Sequence, residues 1–341
     1  MSETEAPALQ SHSTLTAGHN LTSLQSFLLS EERRHPHATG NYTMILSALS
    51  LASKFIAARC RRARLEDVLG SMGSDNVQGE EQQKLDVIAN EALVRALGSR
   101  QGVAIIASEE DDDPIVLRDD TSGERPYVVL FDPLDGSSNL DVCGGVGTIF
   151  SILQHDRRVT KIEDSALQPG VKQVGAGYVL YGPSTVFVLT TGNGVQMFVL
   201  DPAVGSFLLV DEDVRIPAAK KSYSLNSANV PNFPDGYRKY VDWANAEGYS
   251  MRYAGAMVAD VHRTLMKGGV FLYPPTASSP AGKLRLMYEA NPMAMIVEQA
   301  GGKAYSGLER TMEVRPEKIH QRVPVILGSP DEVDHVLGHL A

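Results

Sequence analysis

Two apolar runs constrain this chain more than any other feature. Residues 103–107 and 127–131 are each about one strand long and nearly free of polar side chains, and both stop abruptly at acid. Ser108, Glu109 and Glu110 follow the first run; Asp132, Pro133, Leu134, Asp135, Gly136, Ser137 and Ser138 follow the second. A short run without alternation is a strand covered by apolar layers on both faces, so an α/β fold is expected. Open α/β sheets bind ligands where their strands end, and two adjacent strand ends can bring several carboxylates to one place.

The flanking patterns supply the covering helices. Between residues 41 and 64, Ile45, Leu49, Ala52 and Ile56 recur at helical spacing after a start at Thr39 and Gly40. A second amphipathic helix is expected over 80–97, burying Leu85, Ala89, Ala92 and Ala96 and turning Asp86 to a cleft or to solvent. Further strands are expected over 147–153, 175–180, 186–190 and 196–200, with Gly192, Asn193 and Gly194 as a hairpin signal. The second half alternates helical patterns over 236–247, 258–267 and 292–300 with extended ones over 269–273 and 325–327.

With 341 residues, 43% of them apolar, the chain can fill two ordinary cores. Residues 1–22 are polar, rich in Ser and Thr and without period, and read as a disordered arm. A polar stretch around 211–221, containing Pro217, reads as a boundary between a domain over 23–214 and another over 215–341.

Charge and targeting signals exclude several classes. The net charge of −10 argues against nucleic acid as a partner. Arg59, Arg61, Arg62 and Arg64 close a helical pattern, where cations complement the carbonyl end of the helix dipole; phosphate binding is the alternative. Two cysteines, Cys60 and Cys143, are too few for a disulfide framework and fit a reducing compartment. The first thirty-two residues contain no Lys or Arg, unlike a transit peptide, and no secretory apolar block. No segment reads as a membrane span, and the ending is no peroxisomal address. A cytoplasmic, unprocessed protein is expected.

The segment from Phe131 to Asn139 carries the chemistry. A strand delivers Asp132, Pro133 fixes the turn, Asp135 reaches the same concavity, and Gly136 allows close backbone approach to a ligand. Two hard carboxylates beside the amides of Gly136 and Ser137 suit Mg²⁺ and a phosphoryl group together, because the metal neutralises the anion that the carboxylates repel. An ordinary Asx turn is the plainer reading. Glu109 and Glu110 open a five-acid run that, alone, reads as a solvated loop. Extended, residues 283–289 would place Lys283, Arg285, Met287 and Glu289 on one face, as a site or as a cross-strand ion-pair ladder. The close histidine pairs, His35 with His37 and His335 with His339, have no third ligand nearby and read as solvated; Gly175 and Gly177 do not make a dinucleotide fingerprint.

Six stretches in order, 84–87, 127–139, 147–150, 252–263, 282–289 and 291–294, resemble the class I fructose-1,6-bisphosphatases, of the lithium-sensitive, Mg²⁺-dependent phosphatase superfamily. The resemblance runs from about Thr39 to near the C-terminus. It implies a layered α-β-α-β-α sugar-phosphatase fold of two packed mixed-sheet domains. It also implies two to three Mg²⁺, replaceable by Mn²⁺, held by Glu109, Asp132, Asp135 and Glu289 with the Leu134 carbonyl. Glu110 would flank the attacking water, with Asp86 and Glu80 in the proton relay. The amides of Gly136 and Ser137 would hold the 1-phosphate. Asn226, Tyr253, Met257, Tyr273 and Lys283 would grip the sugar and distal phosphate of a ketose bisphosphate, and Arg252 would reach that phosphate in a neighbouring subunit of a homotetramer.

Two departures qualify the resemblance. Thr39, Gly40 and Tyr127 match an AMP site, but Pro126 and Gln154 stand where animal enzymes carry Lys and Arg. Losing two charge-assisted contacts, each about 1.5–3 kcal/mol, predicts weak or absent AMP inhibition. Asn229 replaces a Tyr that usually contacts the distal phosphate, and residues 233–236 are unusual for the family, so sedoheptulose 1,7-bisphosphate is an alternative substrate to fructose 1,6-bisphosphate. An inactive sugar-phosphate sensor is the remaining alternative, and the plastid-type cysteine insertion is missing.

Overall fold

The computed structural model describes residues 22–33, 40–66, 69–75, 81–118 and 126–341. Apart from Thr22, whose carbonyl accepts from the Leu209 amide at 2.9 Å, the arm over 1–22 lies outside them, as do Thr39 and Glu80.

The chain builds helices α1 (Leu24–Arg33) and α2 (Asn41–Arg62), a hairpin of β1 (Ser71–Asp75) and β2 (Glu81–Gln83), and α3 (Lys84–Gly98). The first large sheet contains β3 (Val103–Ser108), β4 (Ile115–Val116), β5 (Tyr127–Asp135), β6 (Val146–Gln154), β7 (Gln173–Tyr181), β8 (Thr185–Thr190), β9 (Gln196–Asp201) and β10 (Ser206–Asp211). Its order is β10-β9-β8-β7-β6-β5-β3-β4, antiparallel except where β3 lies parallel to β5.

Beyond Asp211 the chain passes to a six-stranded sheet. It contributes β11 (Ser222–Ser224), α4 (Asp235–Ala246), β12 (Ser250–Met251), α5 (Met257–Lys267) and β13 (Val270–Tyr273), then β14 (Leu284–Arg285), a π-helical turn (Leu286–Ala290) and α6 (Asn291–Gln299). The last elements are β15 (Lys303–Ser306), β16 (Glu309–Arg310), β17 (Arg322–Val323), β18 (Val325–Gly328) and α7 (Pro330–Leu340). The sheet order is β12-β11-β13-β18-β15-β16, while β14 and β17 pair separately.

Side-chain alternation sorts these elements into five layers. Val129 and Phe131 of β5 join the core under α1, α2 and α3, whereas Val128 and Leu130 join the core shared with α5, α6 and the six-stranded sheet. The far face of that sheet, through Val270, Leu272 and Ile326, packs on α4 and α7. The order is therefore α-β-α-β-α, and the runs at 103–107 and 127–131 are apolar throughout because both faces are covered.

Several expectations need correction. The second helix starts at Lys84 rather than near residue 80, and Leu93 and Leu97 take its inner face while Ala92 and Ala96 are half-buried. A strand at Ser206–Asp211 was not anticipated. Residues 283–289 are not extended throughout: β14 ends at Arg285, the chain winds into the π-helical turn, and Met287 is buried in the core. Helix α2 is long and apolar enough to cross a membrane, yet its most apolar window is 50% buried, as in a core helix. His335 is exposed, as expected, and His339 is half-buried; both also stack on Trp243, at ring-centroid distances of 4.8 and 5.3 Å. Arg59, Arg61 and Arg62 do lie in the last turn of α2, whereas Arg64 falls beyond its C-cap, Ala63; Arg59 and Arg62 both bridge to Glu66.

Candidate active site

Strand register brings the acidic ends together. Ser108 of β3 lies beside Phe131 of β5, and the Glu109 amide donates to the Phe131 carbonyl at 3.1 Å. Glu109 and Asp132 thus leave neighbouring strands at one level. Asp132 and Asp135, three residues apart, would face opposite ways in an unbroken ladder. A bulge corrects this, since Asp132 pairs with Ile149 but Asp135 with Gly147, three residues against two. Asp132 Oδ1 accepts from the Leu134 amide at 2.9 Å, and Thr148 Oγ1 donates to the Pro133 carbonyl at 2.9 Å, which fixes the bulge. The Asx-type bond and the site are therefore one device.

Gly136 then turns the chain at φ 74°, and a Cβ there would come within 2.3 Å of Ala256 Cβ. No other residue fits so tight a contact at positive φ. The turn opens the 3₁₀ segment Ser137–Val142, with Gly136 and Ser137 lining a cavity of about 460 Å³.

Six carboxylates line that cavity at 9% exposure or less: Asp86, Glu109, Asp132, Asp135 and Glu289 on one wall and Asp260 on the other. Glu110 joins them half-buried. Asp86 comes from the first turn of α3, where its Oδ2 accepts from the Gln83 amide at 2.9 Å. Burial, with the charges of Glu109, Asp135 and Glu289, holds Asp132 well above the usual carboxylate range. Burial and Glu289 push Asp135 up to about 7, although the Val258 amide donates to its Oδ2 at 2.7 Å and opposes the shift.

Oxygens of Asp132, Asp135 and Glu289 lie within 4.8 Å of one another. Such hard, crowded, buried anions fit divalent cations, whose charge relieves the repulsion that raises the two aspartates.

One cation enters this cluster that sequence reasoning had not assigned. Arg285, 5% exposed, pairs with Glu109 and lies 3.8 Å from Glu289, while its own amide donates to Glu289 Oε2 at 2.6 Å. The π-helical turn makes this possible by folding Glu289 back over Arg285. An extended reading of 283–289 separates the two, so only the presence of a cation in an acidic motif could have signalled it.

The opposite wall is less acidic. Tyr253, Met257, Tyr273 and Lys283 line it together with Asp260. Asp260 was also not anticipated; it accepts from Ser224 Oγ at 2.9 Å and from the Ala254 and Gly255 amides at 2.8 and 3.0 Å, fastening the Tyr253 loop. Burial pushes the Tyr253 hydroxyl up to about 12, against a hydrogen bond from Asn226. Asn226 thus stands behind Tyr253, outside the cavity lining, and its Oδ1 accepts from the Ala228 amide at 3.1 Å. Arg252 is exposed and does not line the cavity, donating to the Met251 carbonyl at 2.8 Å.

The positions matched to an AMP site lie elsewhere. Gly40 caps α2 at φ 76°, Tyr127 packs on Tyr42 with centroids 5.7 Å apart, and Tyr127 pairs with Gln154 across β5 and β6.

Comparisons with known proteins agree with this geometry. The family described as Fructose-1-6-bisphosphatase, N-terminal domain, matches residues 22–212, and Fructose-1-6-bisphosphatase, C-terminal domain, matches 216–340. The holo form of Leishmania major fructose-1,6-bisphosphatase is similar at 39% identity and TM-score 0.87, covering 93% of this chain and 98% of that one. Its apo form and T-state, at 38% and 39% identity, each give a TM-score of 0.83 over the same shares. Fold and site define a metal-dependent phosphoric monoester hydrolase of carbohydrate metabolism. The chain belongs to the fructose-1,6-bisphosphatase family, in both its N- and C-terminal parts.

Proposed function

We propose that the cavity hydrolyses the 1-phosphate of fructose 1,6-bisphosphate to give fructose 6-phosphate and inorganic phosphate. The observation that carries this is the convergence of Glu109, Asp132, Asp135 and Glu289 beside the backbone of Gly136 and Ser137 in one cavity. Glu109, Asp132, the Leu134 carbonyl, Asp135 and Glu289 would hold two to three Mg²⁺, or Mn²⁺ in their place. When bound, the ions supply Lewis acidity and the positive charge that offsets clustered anions in the transition state.

The chain's own groups then divide the work. Gly136 and Ser137 amides orient the 1-phosphate oxygens, which places phosphorus in line with a water beside Glu110. Glu110 orients that water and accepts its proton, and Asp86 and Glu80 pass the proton on. Tyr253, Met257, Tyr273 and Lys283 hold the sugar and distal phosphate, with Asn226 acting through Tyr253. Arg252, exposed and outside the lining of its own cavity, would serve a neighbouring subunit in a homotetramer.

A second reading, sedoheptulose 1,7-bisphosphate, rests on Asn229, which stands where a Tyr usually contacts the distal phosphate in the family. Phosphate release from both ketose bisphosphates with Mg²⁺, reported as kcat/KM beside an EDTA control, decides between them. Preference for fructose supports the first reading and preference for sedoheptulose the second. No release from either would leave a sugar-phosphate sensor.

A further inference from the structure

The acid run from Glu109 to Asp113 faces the cavity on one side only. Glu109 and Glu110 line the cavity, whereas Asp111 and Asp112 are gripped from behind. Asn90 Nδ2 donates to Asp111 Oδ1 at 3.1 Å. Asn90 stands one turn beyond Asp86 on α3, so a single helix contributes both a cavity carboxylate and this restraint. His320 Nε2 lies 3.1 Å from the Asp112 carbonyl, which it reaches as donor in the tautomer protonated there. The same imidazole packs on the Tyr288 ring at 5.4 Å between centroids, and Tyr288 directly precedes Glu289.

His320 is itself held in place. The next residue's carbonyl, that of Gln321, accepts from the Leu286 amide at 2.7 Å, and Arg322 and Val323 pair with Arg285 and Leu284. His320 therefore bridges the two separate segments that carry Glu109 with Glu110 and Arg285 with Glu289. Consecutive acids repel one another, and a surface loop made of them would splay; here two side-chain partners, Asn90 and His320, restrain it at successive residues.

We propose that Asn90 and His320 are positioning residues, which hold the Glu109 and Glu110 loop in register with the Glu289 turn so that their carboxylates converge on bound cations. Neither side chain lines the cavity. Their effect is on the alignment of the ligand set, as outer partners of metal ligands act generally. The inference rests on the metal reading of the carboxylate cluster.

Mn²⁺ binding to the metal-free full-length protein, followed by loss of the free-ion electron paramagnetic resonance signal, tests it without turnover. His320→Ala and Asn90→Ala should each weaken binding about tenfold, or about 1.4 kcal/mol. The Mg²⁺ concentration for half-maximal phosphate release should rise by the same factor, while KM for fructose 1,6-bisphosphate at saturating Mg²⁺ stays within about twofold. His320→Gln keeps a side-chain N–H near the position of Nε2 and should recover most of the loss. Unchanged Mn²⁺ affinity in both alanine variants overturns the proposal. Equal weakening in His320→Gln and His320→Ala also overturns it for His320, because packing on Tyr288 would then be the whole effect. If His320→Ala does not fold, Asn90→Ala carries the same comparison. A wild-type protein that binds no Mn²⁺ refutes the metal reading itself, a result distinct from both.

Discussion

The two walls of the cavity differ in how they are held. The acidic wall is built from the ends of β3 and β5, from α3 and from the π-helical turn, and its carboxylates are 2–9% exposed apart from the half-buried Glu110. The opposite wall is more mixed: Met257 opens α5 and Tyr273 ends β13, but Tyr253 and Lys283 come from loops, with Tyr253 38% exposed and Arg252 outside the cavity lining. Charges that repel one another must be fixed by packed backbone, whereas contacts to a sugar tolerate adjustable side chains. The metal-fitting carboxylates are thus anchored in packed backbone, and the exposed Tyr253 loop is the part of the cavity left open to change.

The comparison breaks most readily at Asp132. Asp132→Asn should lower kcat/KM by about 10³-fold or more while leaving the metal-free melting temperature unchanged or raised, because the amide removes a charge from a repelling cluster. A variant that keeps wild-type phosphate release, or that unfolds, contradicts a rigid, charge-strained wall.

Arg285→Ala should come next. It leaves Glu109 and Glu289 buried without their cation, which is expected to cost about 3–5 kcal/mol in the metal-free protein. Added Mg²⁺ should recover much of this, so melting curves with and without Mg²⁺ separate the two charges that can balance the wall.

Per pH unit, the pH dependence of stability is a smaller effect. Asp135, raised to about 7, and Asp132, also raised, carry folded-state values above their unfolded ones. Their contribution to stability is complete below the unfolded value, about 3.9, and is lost as pH rises through the folded one. Metal-free protein should therefore lose up to about 1.4 kcal/mol per pH unit from Asp135 between roughly pH 4 and 7, with Asp132 acting in the same direction, and Mg²⁺ should flatten the curve. Stability that instead rises over this window shows that the carboxylates are compensated without metal.

Tyr253→Phe should have the least effect. Losing one hydroxyl on the adjustable wall should raise KM about two- to tenfold, with kcat and melting temperature nearly unchanged. A large fall in kcat at saturating substrate would place Tyr253 with the rigid wall.

Much of the acidic wall was legible because it is local. Glu109, Asp132 and Asp135 lie at or just beyond strand ends that apolar runs of about five residues mark, and sheet chemistry carries such ends to one edge. Arg285 was legible only as one member of a possible site face, not as the buried partner of Glu109, and Asp260 was not legible as a cavity residue. The first needs the π-helical turn to meet Glu289, and the second needs α5 to dock beneath the Tyr253 loop. His320 is more distant still, 208 residues from the carbonyl it holds.

The sequence by itself determined the alternation of apolar faces, the strand ends that bear acid, and the motif that places two aspartates around Pro133 and Leu134. These follow from backbone periodicity and turn chemistry, which act over a few residues. Only the tertiary structure decided which face each aspartate takes, which cation shares their burial, and which side chains brace the acidic loop from behind. Those outcomes depend on register and on contacts between distant segments, and a single-residue bulge is enough to reverse a side chain's direction.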